Sequence, residues 1–463
     1  MNINENLRWL GVGISDEIMR YKARGNFDGA IRLIEKRLAD RSLPETFRCG
    51  LTAERELLRR LPEDYPLTRG AALALVREHI PDFSAQEFSQ MEEAGRIDWI
   101  YCQGEKRYFR RFFETLCKTD AAFAARTDFP HEKTSVGQSG GELRDETIQK
   151  MKARGVLSTR FRCRERLRIR DGVFHPGAKV RIYLPIPCAC ETQSGIKIEN
   201  VFPFPTRISP ESAPQRVVFW EEAMEENHPF SVEFSYIQTA RYVNLDGAVP
   251  DLWQPSFDTE EVPPHILFTP TICALERDLS AGTDNPLEKA RRFYEFITKN
   301  VRYSYMRAYF GIENIPEYCA RNLKGDCGVQ ALLFITLCRR AGIPARLQGG
   351  WRAEPHSCNP HDWAQFYVAP FGWLYADPSF GGAAYRDGAR ERWRYYFGNL
   401  DPHRMVSNTR FQAQFDMPET HWRADPYDNQ SGEAETEERG LLSGEFDSTK
   451  EVLKYQELLE TRG

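Results

Sequence analysis

The sequence lacks three features that would assign it to a class at once. It has no apolar run of about 18 residues, the length expected of a transmembrane helix, and no basic cluster followed by an apolar stretch near Met1. We therefore expect a cytoplasmic protein without membrane contact. Positive charge is also not in excess, since the net charge is -5. Nucleic acid is not an expected partner, because its binding depends on attraction between basic side chains and phosphates.

Paired cysteine motifs are also absent. The chain has 11 cysteines, but none of them forms a Cys-x-x-Cys pair of the kind that holds zinc in a ribbon. An odd number cannot pair completely within one chain, and free thiols are typical of a reducing compartment. We expect neither a bound metal nor a cofactor.

The pattern of apolar residues changes along the 463-residue chain. Helical spacing dominates the first part, and Ser84 with Glu87 has the pattern of a capping box. Alternation with a period of two follows from Phe161 onward and predicts the strands of a β-sandwich. We predict an α+β protein with a helical domain (1–135), a linker (136–155), a β-sandwich domain (156–250), a core that carries the chemistry (251–425) and an acidic C-terminal tail with a short helix over Ser448–Leu459 (426–463).

Cys327 is the first candidate for a catalytic residue. It follows Gly325-Asp326 and precedes an apolar run from Val329 to Leu337, which Gly342 and Pro344 end as a helix terminator would. This pattern predicts a cysteine in the first turn of a buried helix. The positive end of the helix dipole favours a thiolate there, so we expect a lowered thiol pKa and a nucleophilic sulfur.

A base for this thiol is predicted in the next strand pair. His361 begins one strand-like run, Ala369-Pro370-Phe371-Gly372 has the residues of a turn, and Asp377 ends the returning run. In a hairpin centred on Ala369, His361 and Asp377 would face each other directly. Asp377 could then hold one nitrogen of the His361 imidazole, and the other imidazole nitrogen could act on Cys327. These are the parts of a Cys-His-Asp triad.

Other interpretations of these residues remain open. A cysteine, a histidine and an aspartate could also hold zinc, although three ligands without a second cysteine fit zinc poorly. His356 and Cys358 form a nearby alternative pair, which we interpret as loop residues. Cys327 alone could equally be a buried structural thiol.

Aromatic residues are expected around this site. Trp351 and Trp363 are predicted to pack against it, with plain core packing equally open for Trp351. The backbone N–H of Cys327 is a natural first donor to an oxyanion, and Tyr303 and Tyr305 are candidates for the second, beside a simple role in a strand or core.

The stretch from about Pro286 to Gly382 resembles the transglutaminase-like superfamily, whose members share a papain-like core. The matching motifs are Gly325-Asp326-Cys327, Ala341-Gly342-Ile343-Pro344-Ala345-Arg346, His361-Asp362-Trp363, and Gly372-Trp373 leading to Asp377-Pro378. The resemblance implies that 251–425 is a transglutaminase-like catalytic core, with Cys327 as nucleophile, His361 as general base and acid, and Asp377 as the orienting carboxylate.

The predicted function is a thiol-dependent acyl-transfer enzyme that acts on peptide or amide bonds of a peptide or protein substrate, with hydrolysis as the expected outcome. The alternatives are a protein-glutamine transamidase and a non-catalytic peptide-binding scaffold with the same fold. Animal transglutaminases have Trp after the cysteine, whereas this chain has Gly328 and no calcium-loop pattern. This argues against crosslinking by the animal route.

Overall fold

A computed structural model describes residues 2–128, 140–355 and 357–458. The first part is helical, as predicted, and also holds one short hairpin. Ser84 accepts a hydrogen bond from the Glu87 N–H while the Glu87 side chain accepts one from the Ser84 N–H, so the predicted capping box is confirmed. The elements are a 3-10 turn (Ile3–Trp9), α1 (Asp16–Ala23), α2 (Phe27–Leu38), α3 (Glu45–Asp64), α4 (Arg69–His79), α5 (Ala85–Glu93), β1 (Trp99–Cys102), β2 (Glu105–Tyr108), α6 (Phe112–Thr119) and α7 (Ala121–Ala124).

The predicted linker is wrong where the structure describes it. Residues Gly140–Arg154 form a helix, α8, and residues 136–139 lie outside the described residues. Ile148 and Met151 of α8 are buried in the main hydrophobic core. The sequence around Ser139-Gly140-Gly141 is polar and lacks a regular apolar stripe, so it does not predict a helix. A few tertiary contacts stabilise α8 instead.

Strands with the predicted alternation follow α8. They are β3 (Val156–Ile169), β4 (Ala178–Pro185), β5 (Gln193–Phe202), β6 (Arg207–Ile208), β7 (Val217–Met224) and β8 (Phe230–Arg241). Apolar side chains from β3 and β8 share one buried cluster with those from β4 and β7. Two sheets therefore pack face to face, and the predicted mixed fold with a β-sandwich is confirmed.

The region that carries the chemistry combines helices with a five-stranded antiparallel sheet. Its sheet has the order β14-β13-β12-β11-β15, and helix α12 packs against β11 and β12. The elements are α9 (Pro270–Ser280), α10 (Pro286–Asn300), β9 (Arg302–Tyr303), a 3-10 turn (Tyr309–Gly311), α11 (Ile315–Asn322), β10 (Lys324–Gly325), α12 (Cys327–Arg340), β11 (Ala345–Glu354), β12 (Ser357–Val368), β13 (Gly372–Ala376), α13 (Pro378–Arg386), α14 (Arg390–Tyr395), β14 (Phe397–Gly398) and β15 (Arg404–Asn408).

The C-terminal segment returns to the sandwich instead of forming a helical tail. Strand β16 (Glu433–Thr436) pairs with β4, and β17 (Phe446–Leu458) pairs with β3, so the two sheets have the orders β16-β4-β7-β6 and β17-β3-β8-β5. The predicted helix from Ser448 is wrong over its described part. Strand β17 lies at the edge of its sheet, and most of its side chains are exposed or half-buried, so charged residues interrupt the apolar alternation that predicts a strand.

No helix among the described residues is long and apolar enough to cross a membrane.

Candidate active site

Cys327 begins the buried helix α12, as the sequence predicts. Asp326 caps the helix by accepting a hydrogen bond from the Val329 N–H at 3.2 Å, and residues Gly328–Arg339 are all buried. Cys327 itself is half-buried. The helix therefore presents its first side chain to a cavity while the rest of its surface is packed.

Carboxylates surround the sulfur, and no local pattern in the sequence predicts them. Asp362 Oδ2 lies 3.9 Å from Cys327 Sγ. Burial raises the pKa of the Cys327 thiol well above its usual value, and the carboxylates of Asp362 and Asp326 raise it further. The expected lowering of this pKa by the helix terminus is therefore wrong.

His361 and Asp377 are in direct contact. His361 Nε2 lies 2.7 Å from Asp377 Oδ2, and the two side chains are 6% and 0% exposed. Asp377 also caps α13, where its Oδ1 accepts a hydrogen bond from the Phe380 N–H at 2.9 Å. The carboxylate is thus held in place from the backbone side, and it occupies one of the two imidazole nitrogens.

The hairpin register differs from the predicted one. Val368 pairs with Gly372, so the turn is centred on Pro370 rather than Ala369, and extending the ladder places Asp377 opposite Trp363. Moving the centre by one residue moves each partner by two, which keeps His361 and Asp377 on the same face. They therefore meet diagonally, from one strand to a helix cap, and not as the predicted direct pair.

Burial acts differently on the two members of this contact. It lowers the pKa of His361, and the neighbouring Asp377 only partly opposes that effect. Burial would raise the pKa of Asp377, but its contact with His361 and the positive charge of Arg404 outweigh that effect, so this pKa lies below its usual value. The imidazole is neutral at rest and its partner is an ionised carboxylate.

Arg404 binds the carboxylate of Asp377, an interaction that the sequence does not predict. Its Nη2 donates to Asp377 Oδ2 at 3.1 Å and to Asp401 Oδ2 at 3.0 Å, and the Tyr396 hydroxyl donates to the same Asp401 oxygen at 2.9 Å. Arg404 is fully buried. It lies on β15, 27 residues beyond Asp377 in the chain, and no local motif marks it.

One cavity joins the candidate residues. It has a volume of about 560 Å³ and is lined by Cys327, His361 and Asp362, together with residues of α6 and α8. Helices outside the core therefore form part of its wall. Within the described residues no hydrogen bond joins Cys327 Sγ to the imidazole. Since Asp377 occupies Nε2, Nδ1 is the nitrogen that can serve the thiol.

A second set of carboxylates, two buried and two half-buried, lines the cavity beside Cys327. The set consists of Asp326, Asp362, Asp425 and Asp428. Burial raises the pKa of Asp428 to about 7 and that of Asp326 to about 6. Gln430 Nε2 donates to Asp362 Oδ1 at 2.7 Å and to the His361 carbonyl oxygen at 3.2 Å. This acidic cluster depends on residues about one hundred positions apart, so no local pattern could have indicated it.

The packing of this acidic cluster explains why position 328 is a glycine. A Cβ atom at this position would lie 2.7 Å from Asp362 Oδ2 and would also meet the Tyr309 hydroxyl. The Tyr309 hydroxyl donates a hydrogen bond to Asp326 Oδ1. The close approach of these groups leaves no room for the tryptophan that animal transglutaminases have there.

The predicted aromatic neighbours divide into two groups. The Trp363 ring is 6.1 Å from the His361 ring, whereas Trp351 packs 5.5 Å from Phe234 in the sandwich cluster, which supports core packing for Trp351. Tyr303 and Tyr305 line the cavity. Their role as oxyanion donors stays a prediction, and His356 lies outside the described residues.

Comparison with known proteins agrees with the resemblance to the transglutaminase-like superfamily. Residues 274–378 match the family model of the transglutaminase-like superfamily. The match contains Cys327, His361 and Asp377 but ends before Arg404 and the Asp425–Asp428 segment. This region of the chain is a transglutaminase-like core, and the resemblance predicted from the sequence is confirmed.

Solved structures show weaker likeness. A "Putative Cysteine Protease" from Cytophaga hutchinsonii is 15% identical over 66% of this chain and 93% of its own, with a TM-score of 0.41. The periplasmic domain of TgpA from Pseudomonas aeruginosa is 14% identical over 53% of this chain and 95% of its own, with a TM-score of 0.28. Scores this low support no argument about function. A search of curated proteins found no match.

Proposed function

We propose that the protein is a Cys-His-Asp acyl-transfer enzyme that hydrolyses peptide or amide bonds. The observation that carries the proposal is the 2.7 Å contact between His361 Nε2 and Asp377 Oδ2, on the wall of a cavity that also contains the thiol of Cys327. Asp377 in this position selects the tautomer that presents Nδ1 of His361 as a base. The match to a superfamily of thiol-dependent enzymes supports the same conclusion.

The reaction would begin from a neutral pair. Burial raises the pKa of Cys327 and lowers that of His361, so the resting enzyme holds a thiol and a neutral imidazole. As Sγ attacks the carbonyl carbon, the thiol proton passes to His361 Nδ1 and the C=O electron pair moves onto oxygen. The negative charge of Asp377 stabilises the imidazolium that forms.

The second half of the reaction would return the proton. His361 protonates the leaving amine as the C–N bond breaks, which leaves a thioester on Cys327. His361 then takes a proton from water and the resulting hydroxide attacks the thioester carbon. The C–S bond breaks to release the acid, and His361 returns the proton to the sulfur of Cys327. An amine in place of water would give transamidation, for which no particular feature of the cavity argues.

Peptides or proteins are the proposed substrates, and the cytoplasm is the proposed location. All 11 cysteines have free thiols, which is compatible with a reducing compartment.

Activity-based profiling with a library of peptide amides tests the proposal. Wild type should release the acid product, Cys327→Ala should release none, and Cys273→Ala, which removes a partly exposed thiol on α9, should match wild type. Products are identified by mass spectrometry in the presence of an added primary amine. Turnover by Cys327→Ala would refute the mechanism, and capture of the amine would assign transamidation in place of hydrolysis.

A further inference from the structure

The mouth of the cavity carries cations on aromatic rings. Lys118 Nζ of α6 lies 4.1 Å from the centre of the Tyr303 ring, and Arg111 Cζ lies 3.6 Å from the centre of the Tyr305 ring. Arg386 of α13 lines the same cavity. We call Arg111, Lys118 and Arg386 the cationic rim. All three side chains are exposed, so a ligand entering the cavity can reach them.

The rim has more positive charge than the surrounding carboxylates neutralise. Within the part of the chain that the structure describes, neither Lys118 nor Arg386 forms an ion pair within 4 Å, and Arg111 has only Glu114, at 3.6 Å. By contrast, Arg144 in the same wall is paired at 2.7 Å with Glu354. Unpaired cations around a partly enclosed cavity raise the local concentration of anions.

The acidic cluster in the same cavity cancels only part of this charge. Asp326 accepts hydrogen bonds from the Tyr309 hydroxyl and the Val329 N–H, and Asp362 accepts one from Gln430. Burial raises the pKa of Asp362 and raises that of Asp428 to about 7, which reduces the negative charge of the cluster near neutral pH. Within the described residues, the carboxylate of Asp326 attracts Arg111, whereas Lys118 and Arg386 form no ion pair within 4 Å.

Strand pairing brings the rim near the Cys327 sulfur. Strand β9 pairs with β10, which places Tyr303 beside Gly325, two residues before Cys327. The ammonium of Lys118 is packed on this same tyrosine ring. An anionic group a few bonds from a carbonyl held at Cys327 would therefore reach the rim.

We infer that the cavity binds substrates that carry a carboxylate a few bonds from the carbonyl attacked by Cys327, with the cationic rim as its binding site. Guanidinium groups hold carboxylates through paired hydrogen bonds, and an ammonium adds a point charge. The inference rests on the proposed function only in taking Cys327 as the nucleophile. The carboxylate could be a chain terminus or an acidic side chain.

Four alkylating reagents with the same reactive group test this inference on the whole protein. They are iodoacetyl-glycinamide (neutral), iodoacetyl-glycine (terminal carboxylate), iodoacetyl-glutamic acid amide (side-chain carboxylate) and iodoacetyl-lysinamide (cationic). Alkylation of Cys327 is followed by peptide mass spectrometry, and each rate is divided by the rate for 2-mercaptoethanol. The thiolate fraction is common to all four reagents, so ratios between them do not depend on the thiol pKa.

We expect a carboxylate reagent to react about fivefold faster than the cationic one at low salt, because one or two unpaired charges at this range change rates by small factors. The double variant Lys118→Gln with Arg386→Gln should bring the ratio close to one. The matched double variant Lys36→Gln with Arg41→Gln, on the exposed surface of the helical domain, should leave it unchanged. The faster of the two anionic reagents identifies the source of the carboxylate.

A ratio at or below one, or a raised ratio that survives the rim variant, would overturn the inference. Failure of the proposed function has a different signature. In that case wild type and Cys327→Ala would both fail to release acid from the peptide-amide library, whatever the ratio between the four reagents.

Discussion

Asp377 lies behind His361 of the cavity wall and Asp428 lines the same cavity, yet the two carboxyl groups are ionised differently. Asp377 has a pKa below its usual value because His361 and Arg404 outweigh its burial. Asp428 has a pKa raised to about 7 because burial dominates and Asp425 adds a like charge. The residue type and the degree of burial are the same. The contrast shows that a cation placed against a buried acid lowers a pKa that burial alone would raise.

The largest expected effect comes from removing the charged member of the contact with His361. Asp377→Asn keeps the shape but favours the wrong imidazole tautomer, so turnover should fall by about 10⁴-fold. Single-turnover kinetics on a substrate found by profiling measures it. Asp278→Asn, an exposed carboxylate of α9, is the control and should be unchanged. A decrease of less than tenfold would remove Asp377 from the mechanism.

Removing the cation behind this carboxylate should mainly affect stability. Arg404→Met leaves Asp377 and Asp401 buried without a cation, and breaking such an arrangement costs about 3–5 kcal/mol in free energy of unfolding. Urea denaturation measures the loss. Arg404→Lys, which keeps the charge, should recover part of it. Equal stability of the Met variant and wild type would show that Arg404 does not hold the pair.

The acidic cluster should lose stability as pH rises, the opposite of what a carboxyl with a lowered pKa, such as Asp377, contributes. Carboxyls whose folded pKa is raised keep protons that the unfolded chain loses, so they lower stability as pH rises from about 4 to about 7. Asp428→Asn should therefore become more stable relative to wild type by about 2 kcal/mol between pH 5 and pH 8. Urea denaturation at both pH values checks this. A difference that does not change with pH would contradict the raised pKa.

The smallest effect is expected from one hydrogen bond in the Arg404 network. Tyr396→Phe removes the hydroxyl that donates to Asp401 Oδ2 at 2.9 Å, while Arg404 continues to bind that oxygen. The free energy of unfolding should fall by about 1 kcal/mol. A loss as large as that of Arg404→Met would mean that the hydroxyl, and not the guanidinium, keeps these carboxylates charged.

Local patterns in the sequence were sufficient for the parts of the site that a helix or hairpin positions. The Gly325-Asp326-Cys327 start of α12 and the same-face relation of His361 and Asp377 follow from spacing of 3.6 and 2.0 residues. The sandwich strands follow from the same alternation. These features depend on neighbours in the chain, so they could be predicted without knowledge of tertiary contacts.

Only the tertiary structure decided the charge of the site and the ends of the domains. Arg404 and the Asp425–Asp428 segment reach Asp377 and Asp362 from distant positions, and they determine which carboxylates are ionised. The helix α8 and the edge strand β17 have weak local patterns and are stabilised by what they pack against. The pKa of Cys327 is shifted upward by burial and by neighbouring negative charges, and its place at a helix start does not decide the direction of the shift. Electrostatic energies in a protein interior are set by groups that are close in space, and the chain order of those groups carries no signal.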